Sequence, residues 1–139
     1  MVIEMNEETC IEELFNGLNM GMIAIDHLLD KIQNPKLRDI VIHQRKNYGD
    51  LKTKVQNTYT NAEDEVKNKF MLESMIEMKM LMSDDAKIAK MLTEGSNQAI
   101  ITMTHLLNKE EHVDQTLKGY CDDFEDISKK YIEELKAYL

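Results

Sequence analysis

The chain contains one stretch of sequence nearly twice. Residues 16–31 read NGLNMGMIAIDHLLDK, and residues 94–109 read EGSNQAIITMTHLLNK. Aligned without gaps, seven positions are identical, namely Gly17 and Gly95, Asn19 and Asn97, Ile23 and Ile101, His27 and His105, Leu28 and Leu106, Leu29 and Leu107, and Lys31 and Lys109. Internal similarity of this kind indicates that the chain is built from two copies of one structural unit.

Apolar residues recur at three- and four-residue steps through both copies and the segments that follow them, which predicts helices. The first helix is expected to begin near Thr9, which could form a capping box with Glu12. The second should begin at Pro35, with Asn34 as its N-cap. We expect the second helix to bury one stripe, made of Leu37, Val41, Gln44, Tyr48, Leu51 and Val55.

Three further helices are predicted. The third covers residues 61–82, opened by a capping box of Thr60 and Glu63, and the fourth runs from about Asp84 to Lys109 after Ser83. The fifth runs from about Glu111 to Tyr138. Its buried side is predicted as Val113, Leu117, Tyr120, Phe124, Ile127, Tyr131 and Leu135.

The repeat extends into the second and fifth helices after a two-residue shift. This alignment pairs Leu37 with Val113, Val41 with Leu117, Tyr48 with Phe124 and Leu51 with Ile127. Each unit is then an antiparallel helical hairpin whose apolar stripe cannot be buried alone, and two hairpins packed about a pseudo-twofold axis bury both stripes. We therefore predict one helical domain over residues 1–139, with hairpins at 9–59 and 84–138 joined by a crossover helix at 61–82.

A helix of about twenty residues is about 30 Å long, so the crossover could carry the chain back along the bundle. The first, second, fourth and fifth helices would then run up, down, down and up. This arrangement resembles the ferritin-like superfamily, whose four-helix bundles are two hairpins joined by a long crossover. The resemblance implies an all-α ferritin-like fold with five helices in all. The string QNPKLRDIVIHQ is also similar to the helical-hairpin turn of spore-coat proteins of that superfamily, which implies a structural or stress-associated role.

The resemblance raises the possibility of a metal centre. Ferritin-like enzymes hold two metals with carboxylates and Glu-x-x-His pairs, and this sequence has no Glu-x-x-His. We therefore expect neither a metal nor another cofactor. The alternative is a divergent, di-iron-like metal-binding protein that uses His27, His105 and Asp26, if the pseudo-twofold axis brings the two His together. Both His flank the apolar stripe, where a surface imidazole is the ordinary outcome.

Small residues occupy matching sides of the first and fourth helices. They are Gly17, Gly21 and Ala24 on the first helix, and Gly95 and Ala99 on the fourth. Each helical Gly costs about 1 kcal/mol relative to Ala, so some gain in packing should compensate. We expect a close seam between the two helices, with Asn19 and Asn97 hydrogen-bonded across it. A twofold contact in a homodimer is the alternative.

The third helix carries a methionine stripe at Met71, Met75, Met78 and Met82. Because flexible thioethers fill irregular gaps, the plain interpretation is a crossover helix that covers a groove of the bundle. The alternative is an adaptable docking surface for a protein partner. A soft-metal site in MKMLM ranks below both, since copper sites of that kind usually occur in exported proteins.

The net charge, the cysteine spacing and the N-terminal residues limit the classes of function that this chain can have. The formal net charge is -9 and the sequence pI is about 4.9, which opposes binding to nucleic acid and to anionic membranes. Cys10 and Cys121 match no metal or redox spacing, so we expect reduced thiols. The acidic N-terminal residues do not suit a secretory signal, and no apolar run is long enough to span a bilayer, which predicts a cytoplasmic protein.

No phosphate-binding Gly-rich loop and no Gly-x-Ser-x-Gly motif is present, which favours a non-catalytic protein over an enzyme. The sequence therefore predicts a bundle that acts through protein–protein interaction, or as a structural or stress-associated protein.

Overall fold

The computed structural model describes residues 2–62, 69–81, 83–109 and 113–139, with side chains from residue 7 onward. Over these residues the chain is all-α, as predicted. The helices are α1 (Val2–Leu28), α2 (Pro35–Thr58), α3 (Lys69–Met80), α4 (Asp85–Lys109) and α5 (Gln115–Leu135), with 3-10 helices at Leu29–Lys31 and Lys136–Tyr138.

Side-chain caps set the starts of three helices. Asn34 accepts hydrogen bonds from the amides of Lys36 and Leu37, at 2.9 and 3.3 Å, and Pro35 is the first residue of α2, which confirms the predicted start. Asp84 accepts from the Lys87 amide at 2.9 Å before α4. Asp114 accepts from the Leu117 amide at 2.8 Å and opens α5, so α5 begins later than predicted.

Two predicted helix starts are wrong. Helix α1 already begins at Val2, which places Thr9 inside the helix and not at a cap. The residues before Thr9 include no Gly or Pro, so nothing stops the helix from extending towards the N-terminus. The backbone of residues 60–62 forms a turn, with the Ala62 amide bonded to the Tyr59 carbonyl at 3.2 Å, so no helix begins at residue 61. Glu63 lies outside the described residues.

Hydrogen bonds at the two ends of the bundle fix the helix directions. At one end, the Asp85 carboxylate accepts from the backbone amides of Gln33 and Asn34, at 2.9 and 2.8 Å. The end of α1 therefore lies beside the starts of α2 and α4. At the other end, the Glu7 carboxylate accepts from the Asp114 amide at 3.0 Å, which joins the starts of α1 and α5. Helix α1 thus runs parallel to α5 and antiparallel to α2 and α4.

Each of these four helices packs against two neighbours. Helix α1 packs against α2 and α4, and α5 packs against the same two helices. Helices α1 and α5 also touch across the bundle, and α3 packs on the outside of α1. Helices α2 and α5 are neighbours, and Gln44 donates from α2 to the Ile127 carbonyl of α5 at 3.4 Å.

The buried positions of α2 and α5 correspond at a constant offset. All six residues of the predicted α2 stripe are buried. The buried residues of α5 each follow an α2 position by 80 residues, and they are Leu117, Cys121, Phe124, Ser128, Tyr131 and Leu135. The caps Asn34 and Asp114 keep the same offset. The predicted alignment, which paired Leu37 with Val113, was therefore one helical turn out of register.

We predict that Asn34→Ala and Asp114→Ala each lower the free energy of unfolding by about 1 kcal/mol, because each leaves a helix N-terminus without its side-chain acceptor. Urea denaturation followed by circular dichroism measures the change. Gln33→Ala, beside the first cap, serves as the control and should leave stability unchanged, and an equal loss in all three variants would contradict the capping role.

Candidate functional site

Two glycines of α1 make room for aromatic rings of other helices. A Cβ atom added to Gly17 would lie 2.9 Å from Phe124 Cζ of α5, and one added to Gly21 would lie 2.8 Å from Tyr48 Cε2 of α2. Real Cβ atoms do not approach other heavy atoms so closely, so both positions require Gly as the rings now lie. The predicted partner was helix 4, and this is corrected: the space above these glycines is filled by rings from α2 and α5.

A cavity of about 530 Å³ lies where the close seam between the first and fourth helices was predicted, between α1, α4 and the overlying α3. The five small residues of the predicted seam all line it, and they are Gly17, Gly21, Ala24, Gly95 and Ala99. Asn19 is buried whereas Asn97 is exposed, so the two do not form a matched pair. The small residues therefore border open space.

Gly95 differs from the α1 glycines because no atom would lie within 4 Å of a Cβ added there. Steric crowding therefore gives no reason for Gly at this position. Gly119 of α5 is equally uncrowded but does not line the cavity. Gly95 and Gly119 can therefore be compared directly, because both are uncrowded and only Gly95 lines the cavity.

Three aromatic residues from α2 and α5 line the cavity. The ring centroids of Tyr48 and Phe124 are 5.9 Å apart, and those of Tyr48 and Tyr131 are 6.5 Å apart in an edge-on arrangement. The Tyr48 hydroxyl lies 3.4 Å from Ser128 Oγ. The Tyr131 hydroxyl is buried and has no hydrogen-bond partner among the described residues. Burial raises the pKa of Tyr131 well above its ordinary value.

Helix α3 closes the cavity with one face and exposes the other. Leu72 and Ile76 line the cavity, and Ile76 is buried. The stripe of Met71, Met75 and Met78 is exposed, although Met75 also reaches the rim of the cavity. The interpretation that the methionines fill a groove is thus corrected, because residues one position further along the helix do so. Met82 lies outside the described residues.

The exposed face of α3 continues beyond the methionines. Phe70 is 81% exposed and Leu81 is 87% exposed, and Met78 lies between them in sequence at 73%. We call Phe70, Met71, Met75 and Met78, together with Leu81 directly after the helix, the outer face of α3.

A second depression, of about 350 Å³, adjoins the cavity between the end of α3 and the start of α4. It shares Lys79, Met91 and Glu94 with the cavity, and Lys87 and Lys90 also line it. Lys90 Nζ lies 3.9 Å from Glu94 Oε1. Three lysines and one glutamate thus line this depression, which we call the basic depression.

The predicted histidine pair is not brought together. His27 is near the end of α1, with Nε2 3.8 Å from Glu73 Oε1 of α3, whereas His105 is exposed near the end of the antiparallel α4. Asp26 pairs with Arg45, at 2.5 and 3.0 Å, and this hydrogen bonding raises the pKa of Arg45. Because α1 and α4 are antiparallel, the ends of these two helices, and with them the two His, lie at opposite ends of the bundle.

Among the residues that the structure describes, no group of three or more His, Cys, Asp or Glu side chains is placed to hold a metal ion. Cys10 and Cys121 are buried and form no disulfide. Burial, followed by the neighbouring Cys10 and Asp122, raises the pKa of the Cys121 thiol to about 12. The thiol therefore stays protonated at neutral pH and is a poor nucleophile.

Comparison of the chain with models of protein families, with curated proteins and with solved structures finds no match. None of the helices in the described part of the chain is both long enough and apolar enough to cross a membrane.

We predict that Gly21→Ala lowers the free energy of unfolding by about 1–3 kcal/mol, because the new methyl group forces the buried Tyr48 ring to move. Gly119→Ala is the matched control. It should raise stability by up to about 1 kcal/mol, since Ala favours a helix and nothing crowds that position. Chemical denaturation of both variants measures the difference, and stabilisation by both substitutions would show that the ring contact imposes no constraint.

We predict that stability falls as the pH rises from about 9 towards about 12. The unfolded Cys121 thiol loses its proton near its ordinary pKa of 9.0, whereas the folded thiol keeps it up to about 12, so ionisation favours the unfolded chain in this range. Tyr59, whose pKa burial also raises to about 12, acts in the same direction. Urea denaturation at about pH 8 and about pH 10.5 measures the fall, and Cys121→Ala should reduce it. An unchanged pH dependence in Cys121→Ala would contradict this assignment.

Proposed function

We propose that this chain is a non-catalytic helical bundle that acts through protein–protein interaction, and that the outer face of α3 docks into an apolar groove of a protein partner. The observation that carries the proposal is the exposure of four large apolar side chains on one helix of twelve residues, with a fifth, Leu81, directly after its end. A contiguous exposed apolar surface is characteristic of interaction sites, because isolated soluble proteins rarely leave such patches in water.

The spacing of the outer face supports a helix-in-groove mode of binding. Met71, Met75 and Met78 lie at positions i, i+4 and i+7, the spacing by which an amphipathic helix presents its anchors to a groove. Methionine suits such a surface, because its unbranched, polarizable side chain adapts to the shape of a partner. Leu72 and Ile76, on the inner side of α3, can meanwhile remain against the bundle.

A second copy of this chain fits the outer face less well than a different protein. Two copies would each bring a net charge of -9 to the contact. A helix of twelve residues is also only about 18 Å long, whereas a stable interface buries about 800 Å² on each partner. Charge complementarity favours a partner whose groove has a basic rim. Homodimerisation through the same face is the competing outcome.

A ferritin-like topology with an internal duplication is part of the proposal. The antiparallel and parallel relations of α1, α2, α4 and α5 support an up-down-down-up bundle. The constant 80-residue offset between the buried residues and caps of α2 and α5 supports descent from one hairpin. The spore-coat resemblance suggests a structural or stress-associated assembly as the setting of the interaction.

We predict that the double substitution Met71→Glu with Met78→Glu weakens partner binding at least tenfold, because two charges would have to be buried in the groove. Ile42→Glu, at an exposed Ile of α2, is the control and should bind normally. A photo-crosslinking residue at position 78, and another at position 42, would be compared in extracts of the source cells. The first should join the chain to one protein of defined mass.

Three outcomes would overturn the proposal. They are equal crosslinking from both positions, a crosslinked product that is only a second copy of this chain, and stoichiometric iron or manganese in the purified protein. The last would favour the alternative of a divergent, di-iron-like metal-binding protein.

A further inference from the structure

The cavity behind α3 has the size and lining of a small-molecule site. Its volume of about 530 Å³ lies within the roughly 300–1,000 Å³ typical of ligand pockets. Protein interiors are normally packed as densely as organic crystals, so an opening of this size between three helices needs a cause. Most of its wall is apolar or aromatic, including Ile25, Leu72, Ile76, Leu92, Met103 and Phe124.

Gly95 and Tyr131 point to an occupant. Gly95 lies in the interior of α4, where Ala would favour the helix and would meet no atom within 4 Å, so neither helix propensity nor crowding accounts for Gly. Tyr131 lines the same cavity, is only 2% exposed, and carries a hydroxyl without a partner among the described residues. Buried hydroxyls are normally hydrogen-bonded, so a buried hydroxyl without a partner beside an apolar cavity is unusual.

The neighbouring basic depression indicates the charge of the occupant. It begins at Lys79, Met91 and Glu94, where the cavity reaches the end of α3, and it adds Lys87 and Lys90. Three of its lining residues are thus lysines, and one is a glutamate. Glu13 also borders the cavity, but it lies in the first half of α1, whereas Lys87 and Lys90 flank the start of the antiparallel α4.

We propose that the cavity binds one anionic amphiphile, with its apolar chain between α1, α3 and α4 and its carboxylate or phosphate head group at Lys79, Lys87 and Lys90. The apolar wall removes the chain from water, and the ammonium groups bind the head group by charge-assisted hydrogen bonds. The site meets the proposed partner surface at Met75, which lines the cavity, and at Met78, which lines the basic depression, whereas Phe70 and Met71 line neither.

Because the chain is negatively charged overall, the preference of the cavity for anionic or cationic amphiphiles tests the proposal directly. At -9, the overall field attracts cations and repels anions, so nonspecific binding should favour a cationic amphiphile. If the head group binds at Lys79, Lys87 and Lys90, the order of affinity is the opposite, and the anionic amphiphile binds more tightly than the cationic one. We therefore predict that dodecanoate displaces the neutral fluorescent probe N-phenylnaphthylamine at a concentration at least about tenfold lower than dodecyltrimethylammonium does. The neutral dodecanol should lie between them.

Substitutions locate the binding. Gly95→Leu should fill the cavity and reduce probe binding at least about tenfold, whereas Gly119→Leu, the matched uncrowded glycine outside the cavity, should bind as the unaltered chain does. Circular dichroism establishes that both variants fold, and Ala99→Leu replaces Gly95→Leu if the latter does not. The variant Phe70→Glu with Met71→Glu should keep probe binding, because these two residues of the outer face line neither the cavity nor the basic depression.

The head-group assignment has its own variants. Lys87→Gln combined with Lys90→Gln should remove the advantage of dodecanoate over dodecanol without changing the binding of dodecanol. The proposal is overturned if the chain does not bind the probe at a stoichiometry of one, if Gly95→Leu binds as tightly as Gly119→Leu, or if the cationic amphiphile binds best. Binding to phosphatidylglycerol vesicles without displacement of the probe by dodecanoate would also overturn it, because the ligand would then be a bilayer surface.

Discussion

The contact of two aromatic rings with two glycines determines how the bundle is assembled. Phe124 and Tyr48 lie against Gly17 and Gly21, where a Cβ atom would come within 3 Å of each ring. Helix α1 can therefore approach α2 and α5 closely, and it touches α5 across the bundle. The facing residues of α4 are Gly95 and Ala99, which are too small to fill the space on that side, and the cavity results.

Much of the fold follows from local sequence. The buried stripe of α2 could be read residue by residue, because its apolar spacing is regular and its start is fixed by Asn34 and Pro35. The alignment of α5 with α2 could not, although four residues of the predicted buried side of α5 are buried, namely Leu117, Phe124, Tyr131 and Leu135. An amphipathic stripe repeats every three or four residues, so a displacement of one turn changes little in the pattern. The N-cap at Asp114 fixes the first residue of α5, and so the alignment of α5 with α2. This role of Asp114 can be recognised only when the start of α5 is known.

The sequence predicted which small residues lie at the candidate site, but it predicted a close helix contact there and not a cavity. Small residues on facing helices allow either close contact or an open cavity, and sequence spacing does not separate the two. The outcome depends on which large side chains enter the space, and here they come from α2 and α5. On α3, Met75 and Ile76 are adjacent in sequence but lie about 100° apart around the helix, so small rotations decide which stripe faces outward.

Helix α3 lies between the cavity and the surrounding solvent, so one helix contacts both. Its inner residues Leu72 and Ile76 and its outer residues Met71 and Met78 belong to one short rigid element. If a molecule in the cavity favours a shift of this helix, it changes the free energy of binding at the outer face. Binding at the outer face then changes the free energy of binding in the cavity by the same amount. A ligand in the cavity and a partner on the outer face would therefore influence each other's binding through α3.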